Sequence, residues 1–329
     1  MPDWGKFRIS FGGWRLLTLS DHTLEESQTV EDYYAEAEVW EPLDGKPVER
    51  GKKVAFVDGV RRTEHAVYIE DPKEAAVVEG AFVSIGAGAL VLVFGEPTPL
   101  EEALKEALVE RYLLLRDRLV ISEPVVRFVT RAGVLEFKVL KTDGELSPKV
   151  NELMGKLELK AARGVIKEGA VLIITDGPLR VPAGSLPLVG YVKKQNRLYL
   201  PPEGMEVLRA LKKGQRTPVM LTKAVRDGRT LECFTWYVKV GDGEGITGVA
   251  RVEADASLGL ERVKELADLT AFLLPVYASE EFNDERAPQN LVPVKYLEAF
   301  LRRHLGSQAL IRRLVAEVML RRAPRRGLA

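Results

Sequence analysis

Two stretches indicate the fold most strongly: KVAFVD, at residues 53–58, and AVLIITD, at residues 170–176. Both are short runs of apolar, largely β-branched or aromatic residues, and in both the final Asp is followed directly by Gly. Such runs are typical of buried strands, and Asp-Gly is typical of a turn. Ligands of open α/β sheets bind at the C-terminal ends of strands. The sequence therefore predicts that Asp58 and Asp176 follow two buried strands at a functional edge, although Asp-Gly alone is also common in simple turns.

In the rest of the sequence, strand patterns alternate with helical ones. Further strands are predicted at residues 65–70, 81–94, 134–140, 189–192, 198–200, 231–240 and 247–253. Helices are predicted from Thr98 to about Leu119, from Ser147 to Gly169, over residues 258–274, and through Leu297, Leu301 and Leu305. No segment resembles a linker or a repeat. We therefore expect one elaborated domain over residues 1–329, with an acidic region 1–50, a core at about 51–280 and a basic helical region 291–329.

The composition is that of a soluble globular protein. The 329 residues are 46% hydrophobic and 29% charged, which excludes a disordered chain or a disulfide scaffold. Cys233 is the single cysteine, so neither an intramolecular disulfide nor a cysteine zinc cage can form. The apolar stretches are far shorter than the roughly 20 residues that span a bilayer, and the start lacks a signal-peptide pattern. These features predict a cytoplasmic protein without a membrane anchor.

The balanced charge hides two regions of opposite sign. Lysine plus arginine and aspartate plus glutamate each total 48, but residues 21–50 hold ten acids against two bases, and residues 302–326 hold eight arginines against one acid. A basic stripe can follow a phosphate backbone. A solvated helix with a charged tail explains it equally well.

The candidate chemistry is carried by carboxylates. The sequence lacks the phosphate-loop, dinucleotide, serine-hydrolase and HExxH motifs. Glu158 lies in the inward row of its predicted helix, and neither Lys156 nor Lys160 has the spacing to pair with it. Together with Asp58 and Asp176 it would form an oxygen-rich site suited to Mg²⁺ or Mn²⁺. A pair of such ions can promote phosphodiester hydrolysis.

Lys193 follows the second aspartate at a distance that one hairpin can span. Its ammonium group could neutralise a phosphate. A solvated turn formed by Lys193 and Lys194 is the simpler alternative.

Five motifs of the sequence resemble those of a known family. KVAFVDGVRR, KLELKAARGVI, VLIITDGPL, GYVKK and VARVEADA are similar, in this order and spacing, to the NurA family of prokaryotic nucleases. Each motif is short, so their order carries the specificity. They span residues 54 to about 254, and the segment Arg286–Asn290 resembles the bacterial branch of the family.

The resemblance implies an α/β fold with a ribonuclease-H-like mixed sheet flanked by helices and an additional C-terminal helical segment. It further implies a homodimer that cleaves DNA with two Mn²⁺ or Mg²⁺ ions. The activity would be of the single-strand endonuclease and 5'-3' exonuclease type. A HerA-type hexameric ATPase would be the partner in DNA end resection for recombinational repair. Asp58, Glu158 and Asp176 would be the metal ligands, with Asp58 bridging the ions, and Lys193 would be the basic catalytic residue.

The C-terminal part of the family pattern is incomplete. The family has a tyrosine followed directly by a proline, and a histidine farther on. Tyr296 and His304 have suitable spacing, but Leu297 replaces the proline, and Asn290 is an alternative ligand.

Weak DNA contacts with little sequence preference are expected from Lys194, Arg302 and Arg303. Two other functions stay open: an actin-like phosphotransferase, which also uses strand-end aspartates, and a catalytically silent DNA-processing scaffold.

Overall fold

The computed structural model describes residues 8–11, 27–71, 76–116, 124–130, 133–193, 197–226, 228–279 and 288–322. Within them the strands are β1 (Arg8–Phe11), β2 (Ser27–Asp32), β3 (Leu43–Asp44), β4 (Lys53–Asp71), β5 (Ala76–Val93), β6 (Leu104–Arg116), β7 (Val125–Thr130), β8 (Gly133–Thr142), β9 (Ala170–Asp176), β10 (Leu188–Val192), β11 (Gln215–Arg216), β12 (Met220–Arg226), β13 (Arg229–Lys239) and β14 (Val249–Asp255). The helices are α1 (Leu100–Ala103), α2 (Leu146–Ile166), α3 (Gly204–Ala210), α4 (Leu260–Tyr277), α5 (Val292–His304) and α6 (Gln308–Arg322).

One large mixed sheet organises the molecule. Its centre has the order β6-β5-β4-β9-β10, in which β4, β5 and β6 are antiparallel and β9 and β10 run parallel to β4. The sheet continues through β14, β13, β12 and β2 on one side, and through β8 and β7 on the other. The predicted α/β class is confirmed, with helices flanking a large mixed sheet and a helical C-terminal segment.

The helices cover both faces of the sheet. Phe56 of β4 lies in a buried cluster with α4, whereas Val57 lies in a cluster with α2. Successive residues of a strand point to opposite faces, so α2 and α4 lie on opposite sides of β4. Val60 packs with Leu297 of α5, which therefore shares the face of α4. None of the helices in the described ranges is long and apolar enough to cross a membrane.

The helix predicted from Thr98 to Leu119 is wrong. In the described part of that span, residues 98–116, only α1 is helical, and residues 104–116 form β6, which pairs with β5 over most of its length. The consecutive residues Leu113, Leu114 and Leu115 are all completely buried. A strand inside a covered sheet buries neighbouring residues on both faces, whereas an amphipathic helix buries one stripe. The packing of the two faces thus overrides the helical pattern.

The turn predicted after Asp58 is also wrong. β4 is one continuous strand, which includes the separate strand predicted at residues 65–70. Asp58 pairs with Gly88 and Gly59 with Ala87, so β5 satisfies the backbone beyond the apolar run. Residues 198–200, predicted as a strand, belong to no strand. The other predicted elements are confirmed, with boundaries shifted by a few residues.

Candidate functional site

Asp58 and Asp176 lie next to each other on two parallel strands. The last paired residues of β4 and β9 are Val57 and Thr175, and the aspartates come directly after them. Neighbouring strands are about 4.8 Å apart, and residues at the same level share a face. β9 ends at Asp176 while β4 continues, so the sheet opens here. We call this opening, bordered by Asp58, Asp176 and Lys193, the notch.

Glu158 approaches the notch from α2, on the other face of the sheet. A Cβ atom on Gly59 would overlap the Glu158 Oε1 atom and would lie 2.8 Å from Met154 Cγ. The carboxylate of Glu158 therefore rests directly on the Gly59 backbone, beside Asp58. Glycine at position 59 leaves the space that this approach requires.

The acidic side chains at the notch influence one another's pKa. Burial raises the pKa of Asp58 well above its usual value, and the charges of Asp176 and Glu158 raise it further, against a hydrogen bond from the Gly59 N–H. Burial also raises the pKa of Glu158 to about 8, where Arg180 opposes the shift and Asp176 adds to it. A site that crowds acidic groups in this way favours a bound cation, because the cation offsets their repulsion.

Lys193 occupies one side of the notch. Its Nζ atom donates a hydrogen bond of 2.8 Å to Asp176 Oδ2. The other oxygen, Asp176 Oδ1, is buried and accepts no hydrogen bond. A buried oxygen without a partner is unfavourable, and a cation or a water molecule at the notch would satisfy it.

The donor chemistry fits a hard divalent ion, but the geometry is not preformed. Mg²⁺ and Mn²⁺ prefer carboxylate oxygens, and the notch offers three carboxylates. Nevertheless, no group of three or more His, Cys, Asp or Glu side chains is arranged to hold a metal ion within the described residues. The carboxylates are neighbours that would have to turn toward a shared ion, to which Asp176 could offer Oδ1 while Oδ2 keeps its bond to Lys193.

Sequence reasoning missed Arg180 and Glu298. Arg180, Glu158 and Thr175 line a cavity of about 20 Å³. The Thr175 hydroxyl is buried and neither donates nor accepts a hydrogen bond. Glu298 of α5 raises the pKa of Asp58 by its charge, and it accepts a hydrogen bond of 2.7 Å from Arg302. Arg180 lies four residues after Asp176, and this closeness to the second Asp-Gly motif is the sequence feature that could have identified it. Glu298 had no signal beyond its place on the last helix.

The C-terminal candidates lie on or before α5. The carbonyl of Asn290 accepts a hydrogen bond of 2.7 Å from the Ser279 N–H. Tyr296 is 54% exposed. Helix geometry separates Tyr296 from Glu298 by about 200° around the axis, so Tyr296 points away from the flank of α5 nearest Asp58. The exposed ring of His304 stacks on Phe300 with centroids 5.3 Å apart.

Among the predicted DNA contacts, Arg302 and Arg303 are exposed on α5. Arg302 pairs with Glu298, and the Arg303 Nε atom donates to the Ala299 carbonyl at 3.3 Å. Lys194 lies outside the described residues.

Comparison with known families identifies the family of the chain. No curated protein matches the chain. A model of the NurA domain matches residues 21–295, a range that contains Asp58, Glu158, Asp176 and Lys193. Because this match covers most of the sequence, the chain belongs to the NurA family.

Proposed function

We propose that this protein is a deoxyribonuclease that uses two Mn²⁺ or Mg²⁺ ions. The chain belongs to a nuclease family, whose members are hydrolases that process DNA. The observation that carries the proposal is the position of Asp58 and Asp176 at the same level of two parallel strands, with Glu158 against Gly59.

Asp58, Asp176 and Glu158 would hold the ions through their carboxylate oxygens. Bound ions of this kind activate a water molecule and stabilise the leaving oxygen of a phosphodiester. Without a cation, three neighbouring carboxylates would repel the phosphate. Among the described residues, Lys193 has its ammonium group directly at the notch, 2.8 Å from Asp176 Oδ2. With the ions bound, Lys193 would be free to donate to a phosphate oxygen and stabilise negative charge there.

The wider role that we propose is DNA end resection for recombinational repair, in the cytoplasm, together with a HerA-type hexameric ATPase. Family membership supports this role. We propose a bacterial-branch homodimer with single-strand endonuclease and 5'-3' exonuclease activity. Arg302 and Arg303 would contact the phosphate backbone without reading bases, so sequence preference should be weak.

A catalytically silent scaffold is the second candidate. It is favoured by the absence of a preformed metal-binding group in the described residues and by the bond between Lys193 and Asp176. Calorimetric titration with Mn²⁺ separates the two functions, because a scaffold would bind no Mn²⁺ above background.

The activity test uses single-stranded DNA and Mn²⁺ with two matched variants. Asp58→Asn keeps the shape of the side chain but removes its charge, and it should reduce cleavage by about 100-fold or more. Asp242→Asn makes the same change at a side chain that is 88% exposed and pairs with Lys213. Asp242→Asn should cleave like the wild type. Equal cleavage by Asp58→Asn and the wild type would rule out the proposed site.

A further inference from the structure

A completely buried ion pair lies behind the notch, on the α2 face of the sheet. The side chains of Arg226 and Glu253 are both 0% exposed. Arg226 Nη2 donates to Glu253 Oε2 at 2.9 Å, and Arg226 Nη1 donates to Glu253 Oε1. A buried ion pair is a weak source of stability, because removing both charges from water costs about as much as their attraction returns. The other groups that this pair binds therefore indicate its role.

The pair holds the backbone of Leu179, three residues after Asp176. Glu253 Oε1 accepts a hydrogen bond of 2.6 Å from the Leu179 N–H. Arg226 Nη1 donates one of 2.9 Å to the Leu179 carbonyl. Both backbone polar groups of this loop residue are thus fixed by buried charges.

A second anchor holds the far end of the same loop. Asp255 Oδ2 accepts hydrogen bonds from the N–H groups of Ala183, at 2.8 Å, and Gly184, at 3.1 Å. Glu253 and Asp255 are two residues apart on β14, so they point to the same face. Together they fix residues 177–184, which we call the notch loop.

Gly190 of β10 allows the notch loop to lie flat on the sheet. This residue is paired with Glu253 on one side and is level with Thr175 on the other. A Cβ atom at Gly190 would lie 2.9 Å from the Gly177 carbonyl oxygen and 3.0 Å from the Leu179 nitrogen. Any side chain here would displace the loop from its anchors.

The notch loop carries two groups of the candidate site. Asp176 precedes it directly, and Arg180 follows the anchored Leu179. Arg180 lines the cavity that contains Glu158, and a Cβ atom at Gly155 of α2 would lie 3.1 Å from the Arg180 Cβ atom. The position of Leu179 therefore sets where Arg180 lies relative to α2, and it fixes the course of the chain that leaves Asp176.

We propose that Arg226, Glu253 and Asp255 are positioning residues of the candidate nuclease site, which hold the notch loop so that Asp176 and Arg180 keep their places around Glu158. This role rests on the proposed function. It also gives a physical meaning to the motif VARVEADA, whose two acids are Glu253 and Asp255.

The test replaces the buried pair with apolar residues of similar size, Arg226→Met with Glu253→Leu. Replacing both charges leaves no unpaired buried charge, but the Leu179 N–H and carbonyl lose their partners. The double variant should therefore fold, with a Tm a few degrees below that of the wild type. Its kcat for single-stranded DNA with Mn²⁺ should fall by about 10- to 100-fold, with little change in KM. Amide hydrogen exchange in residues 177–184 should rise.

Two further variants complete the design. Asp255→Ala removes the second anchor at a partly exposed site, and it should also lower kcat and increase exchange in the notch loop. Lys239→Met is the matched control, because Lys239 is also a buried cation that holds backbone carbonyls, but those of a different loop, at Gly243 (2.8 Å) and Gly245 (2.9 Å). The control should keep both kcat and the protection of the notch loop.

The outcomes separate this role from the nuclease assignment. A wild-type protein that cleaves no DNA would overturn the proposed function and this role with it. An active wild type whose anchor variants lose loop protection but keep kcat would overturn the positioning role alone. A fall in kcat with an unchanged, protected loop would overturn it as well.

Discussion

Glu158→Gln should stabilise the metal-free protein at alkaline pH. Burial raises the pKa of Glu158 from its ordinary 4.5 to about 8. Between these values the folded protein keeps a proton that the unfolded chain has released, so the free energy of unfolding falls as pH rises from about 4.5 to about 8. Glutamine stays neutral and avoids this loss. The variant should therefore match the wild type near pH 4.5 and exceed it in stability at pH 8.5.

The magnitude follows from the size of the pKa difference. Each pH unit corresponds to about 1.4 kcal/mol, so the span from 4.5 to 8 gives an upper limit of about 5 kcal/mol. Glu158 is partly exposed, and solvent screening reduces the effect to about 2 kcal/mol. For a chain of this size that corresponds to a Tm increase of about 3 °C.

The assay is thermal unfolding in EDTA at pH 4.5 and pH 8.5. Glu152→Gln on the same helix is the control of opposite sign. Burial alone would raise the pKa of Glu152, but hydrogen bonds from Lys156 and Lys149 lower it. The ionised Glu152 therefore stabilises the folded protein above about pH 4.5, and Glu152→Gln should lower the Tm at pH 8.5. If Glu158→Gln were no more stable than the wild type at pH 8.5, the electrostatic reasoning about the notch would be refuted.

Two further predictions concern the notch and α5. Gly59→Ala would push a methyl group into the Glu158 carboxylate, so we expect a loss of cleavage of about 100-fold, measured on single-stranded DNA. Gly144→Ala is its control, because a Cβ atom there meets only Thr142 Oγ1 at 3.9 Å; similar losses in both variants would contradict the steric argument. Replacing Arg302 and Arg303 with alanine should weaken DNA binding and reduce the slope of log affinity against log salt by about two. Titration at several salt concentrations measures this slope, and an unchanged value would place DNA elsewhere.

The sequence predicted that the two aspartates are neighbours because the apolar pattern that is visible locally is also the property that places these strands at the centre of the sheet. The apolar runs before Asp58 and Asp176 are buried central strands, and such strands require apolar side chains on both faces. Glu158 was predicted for a similar reason. Ala161 and Val165 of its row are completely buried, so helical periodicity alone identified the inward face of α2.

The sequence could not predict features that depend on distant partners. Residues 104–116 have a helical pattern, but pairing with β5 makes them a strand. The notch itself exists because β9 ends where β4 continues, and β5 supports that continuation. The anchoring of Leu179 joins β12, β14 and a loop, which no local spacing reveals. Each of these features is a long-range contact with no periodic signature.

Anomalous diffraction from crystals soaked in Mn²⁺ would show whether the carboxylates of the notch share a cation. We expect at least one manganese peak at the notch, within about 2.0–2.6 Å of carboxylate oxygens of Asp58 and Asp176, and within reach of Glu158 after its side chain turns. A fully occupied peak elsewhere with none at the notch, or no peak at a saturating Mn²⁺ concentration, would contradict the claim that these carboxylates share a cation.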